Sequence, residues 1–239
     1  MTHVRILVPV VLSSSLPGPD EILEVYAPLR RPDLTLSCRM IESGPMSIVG
    51  RTEEAEAVPG LIALAAEAEA DGVDAVVIDC MGDPGVDVLR EIVSVPVLGP
   101  ARTSMTVAAN IGHRFSILTV LERSRPLVEE QVERAGLSGR LASVRVVDLP
   151  VLDIESNPDK TFEKLMAQAE PAARDDRADV IIPGCTGYVG LAQSIERELH
   201  ARGLLAIVLD PMPLTIRMAA VLADSGHGHP GSAYMSPGV

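Results

Sequence analysis

Two stretches of this chain, 105 positions apart, carry the same pattern. Asp74 to Gly85 reads D-x5-C-x-G-x2-G, and Asp179 to Gly190 reads it again. Asp74 and Asp179, Cys80 and Cys185, Gly82 and Gly187, and Gly85 and Gly190 all share that spacing. In each copy an apolar, β-branched run leads to the cysteine and a glycine-bearing turn follows it, the signature of a buried strand stopping at a tight turn. Further on, "PVLGP" (Pro96–Pro100) is matched by "IVLDP" (Ile207–Pro211) at a slightly larger offset. Equivalent strand ends that recur in this way imply two similar units related by a pseudo-twofold axis.

Between these landmarks strand patterns alternate with helical ones along the whole chain. "VRILVPVV", "DLTLSCRMI", "VDAVVIDC" and "VPVLGP" read as strands, and so do "RFSILTV", "ASVRVVDL", "ADVIIPGC" and "LLAIVLDP". Near-continuous apolar strands separated by helices mean parallel sheets covered on both faces. The expected fold is therefore α/β, with two pseudo-symmetric, doubly wound (flavodoxin-like) parallel-sheet domains. Residues 1–99 with 211–239 would form one domain and 100–210 the other. Ligands of open α/β sheets bind outside the carboxyl ends of the strands, which places the expected active site in a cleft between the domains. Within "RTEEAEAVPGLIALAAEAEADG", Pro59-Gly60 is a possible break in a long helix. The Gly/Ser/Pro/His-rich segment from about Ser225 reads as a loose tail.

Charge narrows the partners. A net charge of −13 argues against nucleic acid or an anionic membrane, and aromatic residues at 2% leave few platforms for base stacking. A small molecule is the expected partner, handled by a homo-oligomer in the cytoplasm. The opening "MTHVRILVPVVLSSS" holds a short apolar run interrupted by Pro9 and lacks a signal-peptide cleavage pattern, so it reads as the first strand. No stretch approaches the roughly 20 apolar residues of a membrane span.

Three widely spaced cysteines do not make a disulfide framework. Cys38, inside a strand and followed by no glycine, reads as core. Both lysines, Lys160 and Lys164, lie on one polar helix, against a Schiff-base cofactor. No strand is followed by a dinucleotide or P-loop fingerprint. His227 and His229 fall in the tail, and His113 and His200 at the edges of elements. No cofactor and no metal are expected.

Cys80 and Cys185 then need a chemistry that uses two thiols. A cysteine after a strand and just before a helix faces the helix N-terminus, whose unpaired N–H groups and partial positive charge favour thiolate over thiol. One thiolate can take the proton from a stereocentre while the opposite thiol delivers one to the other face. In the reverse direction the roles exchange, as a racemase requires. Amides beside the glycines would stabilise the enolate-like intermediate. Other readings are a decarboxylase, which needs one thiol, a cis–trans isomerase that adds a thiolate to a double bond, an amino-acid racemase, and a small-molecule sensor.

These residues resemble the aspartate/glutamate/hydantoin racemase superfamily, and within it the hydantoin (and allantoin) racemase branch. "DCMGDPG" and "GCTG" carry the resemblance, supported by "SGPMSIVGRTEE" and "PVLGPARTSM". It implies cofactor-independent racemisation of 5-substituted hydantoins or related cyclic ureides such as allantoin, with Cys80 and Cys185 as the acid/base pair. It further implies that Gly44, Pro45 and Ser47 border the substrate, with Met81, Gly82 and Asp83 beside the first cysteine. Thr186 and Gly187 lie beside the second, and Thr119 in "ILTVLERS" completes the pocket. Where that branch carries Asn-Pro-Asn after its first strand, this chain offers Pro9, Ser13 and Ser14. A hydantoin's ring carbonyl makes the adjacent proton acidic enough for a mildly activated thiolate. Arg102 and Arg123 would serve only a carboxylate substrate and read as surface residues.

Overall fold

A computed structural model describes residues 1–13, 16–154 and 156–236. The chain forms two compact units, Met1–Pro100 with the chain from Thr215 onward, and Ala101–Leu214.

In the first unit, strands β1 (Thr2–Val8), β2 (Leu34–Met40), β3 (Ala75–Ile78) and β4 (Val97–Leu98) form a parallel sheet in the order β2-β1-β3-β4. Every residue of β3 is buried, as an inner strand covered on both faces requires. The edge strand β2 alternates, burying Leu34, Leu36 and Cys38 and exposing Thr35 and Arg39. The helices are α1 (Pro19–Val25), α2 (Arg51–Ala70) and α3 (Val86–Arg90). Pro19 opens α1, and the Glu21 carboxylate accepts the Gly18 N–H at 2.7 Å.

Helix α2 runs unbroken through Pro59, so Pro59-Gly60 does not divide it. A proline inside a helix costs about 3 kcal/mol, which the burial of Ala57, Leu61, Ala65 and Ala68 offsets. Gly60 serves packing: a methyl there would lie 2.8 Å from Ile41. Glycine lets the helix approach the loop after β2.

The second unit contains α4 (Pro100–Ile111), β5 (Phe115–Thr119), α5 (Arg125–Arg134), β6 (Leu141–Val146), α6 (Pro158–Arg174), β7 (Val180–Pro183), α7 (Ala192–Ala201) and β8 (Ile207–Val208). Its sheet is also parallel, in the order β6-β5-β7-β8. A final helix, α8 (Pro211–Asp224), leads back into the first unit. Two parallel α/β units are what the repeated pattern demanded. Even the register repeats, with Leu7 opposite Ile78 and Leu118 opposite Pro183.

The repeated aspartates explain part of this. Asp74 accepts the His3 N–H at 2.7 Å, and its own amide donates to the His3 carbonyl at 2.8 Å. Asp179 accepts the His113 and Arg114 amides at 2.7 and 2.9 Å, and its amide donates to the Arg114 carbonyl at 2.9 Å. Each clamps the start of β3 or β7 to the start of the neighbouring central strand, a structural role.

The segment after α8 is tied down, contrary to the loose tail expected from composition. The His229 Nε2 accepts the Val97 amide at 2.6 Å. Tyr234 stacks edge-on against His229, lies under the Arg90 guanidinium and accepts from Arg90 Nη1 at 2.9 Å. A long-range hydrogen bond to an edge strand is invisible to composition. At the matching place in the second unit, the Glu196 carboxylate accepts the Val208 amide at 2.7 Å.

Candidate functional site

In a sheet ordered 2-1-3-4, strand order reverses between the first and third strands, and that crevice is where such folds bind ligands. Pro9 directly follows β1, and Cys80 stands two residues beyond β3. Thr119 closes β5, and Cys185 stands two residues beyond β7. Each cysteine therefore occupies the switch point of its own unit.

Cys80 is half-buried against the apolar core that includes Leu61, Ile78 and Val86. The Gly82 N–H donates to its Sγ at 3.3 Å, and the Asp83 N–H to its carbonyl at 3.0 Å. An amide aimed at sulfur favours the thiolate. A side chain on Gly82 would meet the Glu54 carboxylate at 2.8 Å and Cys80 Sγ at 3.5 Å, so acid and thiol flank one empty position. Asp83 adopts the left-handed region, φ 48°, and lays its carboxylate where any side chain on Gly99 would collide with it. Met81 is buried beneath the turn.

The loop after β2 joins the loop after β1 through the Val11 N–H, which donates to the Pro45 carbonyl at 3.0 Å. Pro9 and Pro45 are buried, Ser13 and Ser47 are half-buried, and Gly44 is exposed. Gly44 has φ 148°, and a methyl on it would press to 2.6 Å from Ile41, so this bend requires glycine. The structure thus joins the loop after β1 to the loop after β2 at Val11 and Pro45. Ser14 lies outside the described residues.

Cys185 is also half-buried, with extended backbone at the head of a 3₁₀ turn, Thr186–Tyr188. A methyl on the preceding Gly184 would lie 2.7 Å from the Leu118 carbonyl oxygen and 3.1 Å from Thr119 Cα. That close approach places buried Thr119 directly against the entrance to the cysteine turn. Thr186 is half-buried and Gly187 exposed; a methyl on Gly187 would lie 3.4 Å from Ile154 and 3.7 Å from Cys185 Sγ. Tyr188 is 1% exposed, and burial, then the charge of Cys185, pushes its phenol upward, so it stays protonated. The Asp210 carboxylate accepts the Gly190 N–H at 2.9 Å.

The third cysteine differs. Cys38 is 1% exposed, and burial with the nearby Asp79 charge pushes its thiol up to about 12, so it is core. Arg102 is half-buried on α4 and Arg123 is exposed. Among the described residues no three His, Cys, Asp or Glu side chains cluster to hold a metal ion, and no helix is long and apolar enough to cross a membrane.

Sequence reading placed Asp83 beside the first cysteine but missed Glu54, Tyr188 and Asp210. Glu54 sits in the quoted "RTEE", but only the α2 contact with the Cys80 turn gives it meaning. The signal for Asp210 was the paired "PVLGP" and "IVLDP", where Gly99 answers it.

Comparison with known proteins agrees with this architecture. The sequence profile of the Asp/Glu/Hydantoin racemase family matches residues 14–219. The chain is 37% identical to a hydantoin racemase of Rhizobium meliloti over 183 residues, 77% of this chain and 74% of that protein. It is 35% identical to a hydantoin racemase of Pseudomonas sp. strain NS671, covering 77% and 72%. The allantoin racemase from Klebsiella pneumoniae superposes with a TM-score of 0.90 at 27% identity, over all of this chain and 95% of that one. With the profile spanning both units and a cysteine at each switch point, this chain belongs to the Asp/Glu/hydantoin racemase family.

Proposed function

We propose that this chain racemises 5-substituted hydantoins or closely related cyclic ureides, with Cys80 and Cys185 as a two-base pair. The observation that carries the reading is the pair of half-buried thiols at equivalent switch points of two repeated units. The hydantoin and allantoin racemases among the relatives supply the substrate class.

In this mechanism one cysteine is thiolate and the other thiol. The thiolate removes the proton on the carbon beside the ring carbonyl, and the electron pair of the broken C–H bond moves onto that carbonyl as an enolate. The second thiol delivers its proton to the opposite face, which re-forms the C–H bond with inverted configuration and leaves that sulfur as thiolate. Protons balance, no oxidant or cofactor takes part, and the next turnover runs with the roles exchanged. The Gly82 amide favours charge on Cys80. A cyclic ureide suits a mildly activated thiolate better than a free amino acid, because its ring carbonyl makes the adjacent proton more acidic. On this reading the substrate is bordered by Pro9, Ser13, Gly44, Pro45, Ser47, Met81, Gly82 and Asp83 in the unit of Cys80, and by Thr119, Thr186 and Gly187 in the unit of Cys185. The enzyme works as a homo-oligomer in the cytoplasm; light scattering on the purified chain tests the assembly.

The test is proton NMR in D2O with single enantiomers of hydantoins, allantoin and free amino acids, read beside optical rotation. Deuterium uptake with loss of rotation on a cyclic ureide is the expected result. Absence of exchange with every hydantoin and with allantoin would overturn the assignment and favour an isomerase, a decarboxylase or a sensor.

A further inference from the structure

We infer that Asp210 is a positioning residue for Cys185, and that it sets the rate of proton transfer at Cys185 without acting on proton transfer at Cys80. The inference rests on the two-cysteine reading above. Gly190, the last residue of the repeated pattern, has φ 81° and donates its N–H to Asp210 at 2.9 Å. The rest of the turn closes on itself, with the Tyr188 amide on the Cys185 carbonyl at 3.2 Å and the Val189 amide on the Thr186 carbonyl at 3.1 Å. Cys185 is thereby linked, through two short steps of backbone, to the end of β8. The link at the far end is a charge-assisted hydrogen bond, about twice as strong as a neutral one.

The first repeat supplies the second observation. Asp210 occupies the place of Gly99, and there the acid comes from the other partner: Asp83, in the cysteine turn, reaches over Gly99. Both repeats bring a carboxylate to the junction of cysteine turn and last strand, from opposite sides. Repetition of backbone alone would have placed the acid on the same side twice. A thiolate must sit within a few tenths of an ångström of its working position, so a carboxylate that fixes the turn is a rate-setting part.

The experiment uses hydantoin enantiomers in D2O. In Cys80→Ala only the Cys185 face exchanges, and in Cys185→Ala only the Cys80 face, which assigns each enantiomer to its cysteine. Asp210→Ala is read in the single-cysteine variants, where only one proton transfer remains: it is expected to slow deuterium uptake by the Cys185 enantiomer in Cys80→Ala about tenfold more than uptake by the Cys80 enantiomer in Cys185→Ala. Asp210→Asn, which keeps an acceptor oxygen, is expected to return that ratio to within about threefold. Equal slowing in the two single-cysteine variants, or none, overturns the inference, since loss of fold alone moves both together. Should Asp210→Ala fail to fold, Asp210→Gly, which puts the residue of the first repeat at this place, is read in the same two variants: selective slowing of the Cys185 enantiomer supports the inference, and equal slowing or none overturns it. If each cysteine variant still exchanges both enantiomers at the parent rate, the two-cysteine reading itself has failed, an outcome separate from these.

Discussion

Around Cys80 the supports are charged: Glu54 flanks the position beside Gly82, Asp83 covers Gly99, and an amide points at the sulfur. Around Cys185 they are a buried phenol, an isoleucine and a glycine pressed against the neighbouring strand, with one carboxylate at the far end of the turn. The two turns nevertheless leave equivalent strands at equivalent registers. The repeat therefore preserves where each thiol stands, while the side chains that hold it have diverged. In a two-base racemase this is physically sensible. Both faces of the substrate need a base at a similar distance, but nothing requires the bases to be fixed in place by the same groups.

The comparison breaks first if the thiols are not equivalent in effect. Cys80→Ala and Cys185→Ala are each expected to lower racemisation by about 10³-fold or more, on the scale of lost acid–base catalysis, while each retains exchange with one enantiomer. If only one of them mattered, a one-base reaction would replace this reading. The next largest difference lies just before the cysteines, where the first repeat has Asp79 and the second Gly184. Gly184→Ala drives a methyl into the Leu118 carbonyl, backbone against backbone, and is expected to cost about 3 kcal/mol in a denaturant titration. Gly99→Ala meets the Asp83 side chain rather than backbone, so a smaller loss, about 1–2 kcal/mol, is expected. Equal losses for the two would show that backbone and side-chain obstruction cost the same here.

A smaller test concerns the sheet edges. His229→Ala removes the acceptor of the Val97 amide and Glu196→Ala that of Val208; each should cost about 1–3 kcal/mol. Only His229→Ala should speed proteolytic cleavage after Ser225, because only the first unit uses the tail. The smallest difference is in pH. Burial, then Arg5, holds His3 in the first unit below the ordinary histidine value. Folding therefore favours neutral His3, and its contribution, present at neutrality, is lost as pH falls below about 6.5. The hydrogen bond from Arg145 holds Asp176 in the second unit below the ordinary carboxylate value. That contribution persists until pH falls below about 4. Amide exchange followed from pH 7 to pH 5 should loosen the first unit before the second; the reverse order would contradict these assignments.

Much of this was legible in the sequence because it is local. β-branched runs, a clamping aspartate and a glycine turn are written within a dozen consecutive residues, and copying them twice announces two sheets and two cysteines. What escaped depends on residues far apart in the chain. Pro59-Gly60 reads as a break until Ile41 is seen against Gly60. The tail reads as loose until His229 meets Val97. Glu54 means nothing beside Cys80 until α2 is placed, and Asp210 stands where the first repeat has Gly99, so a search for identical residues passes over it.

The docking of His229 and Tyr234 has a consequence for how the chain can be handled. β4 is an edge strand, and a bare edge is a template for pairing with another molecule. A chain cut after Asp224 keeps every strand and both cysteines, yet it presents the Val97 amide to any strand that drifts past. Its failure would be visible as turbidity in a concentrated sample, well before any assay registered a slower enzyme.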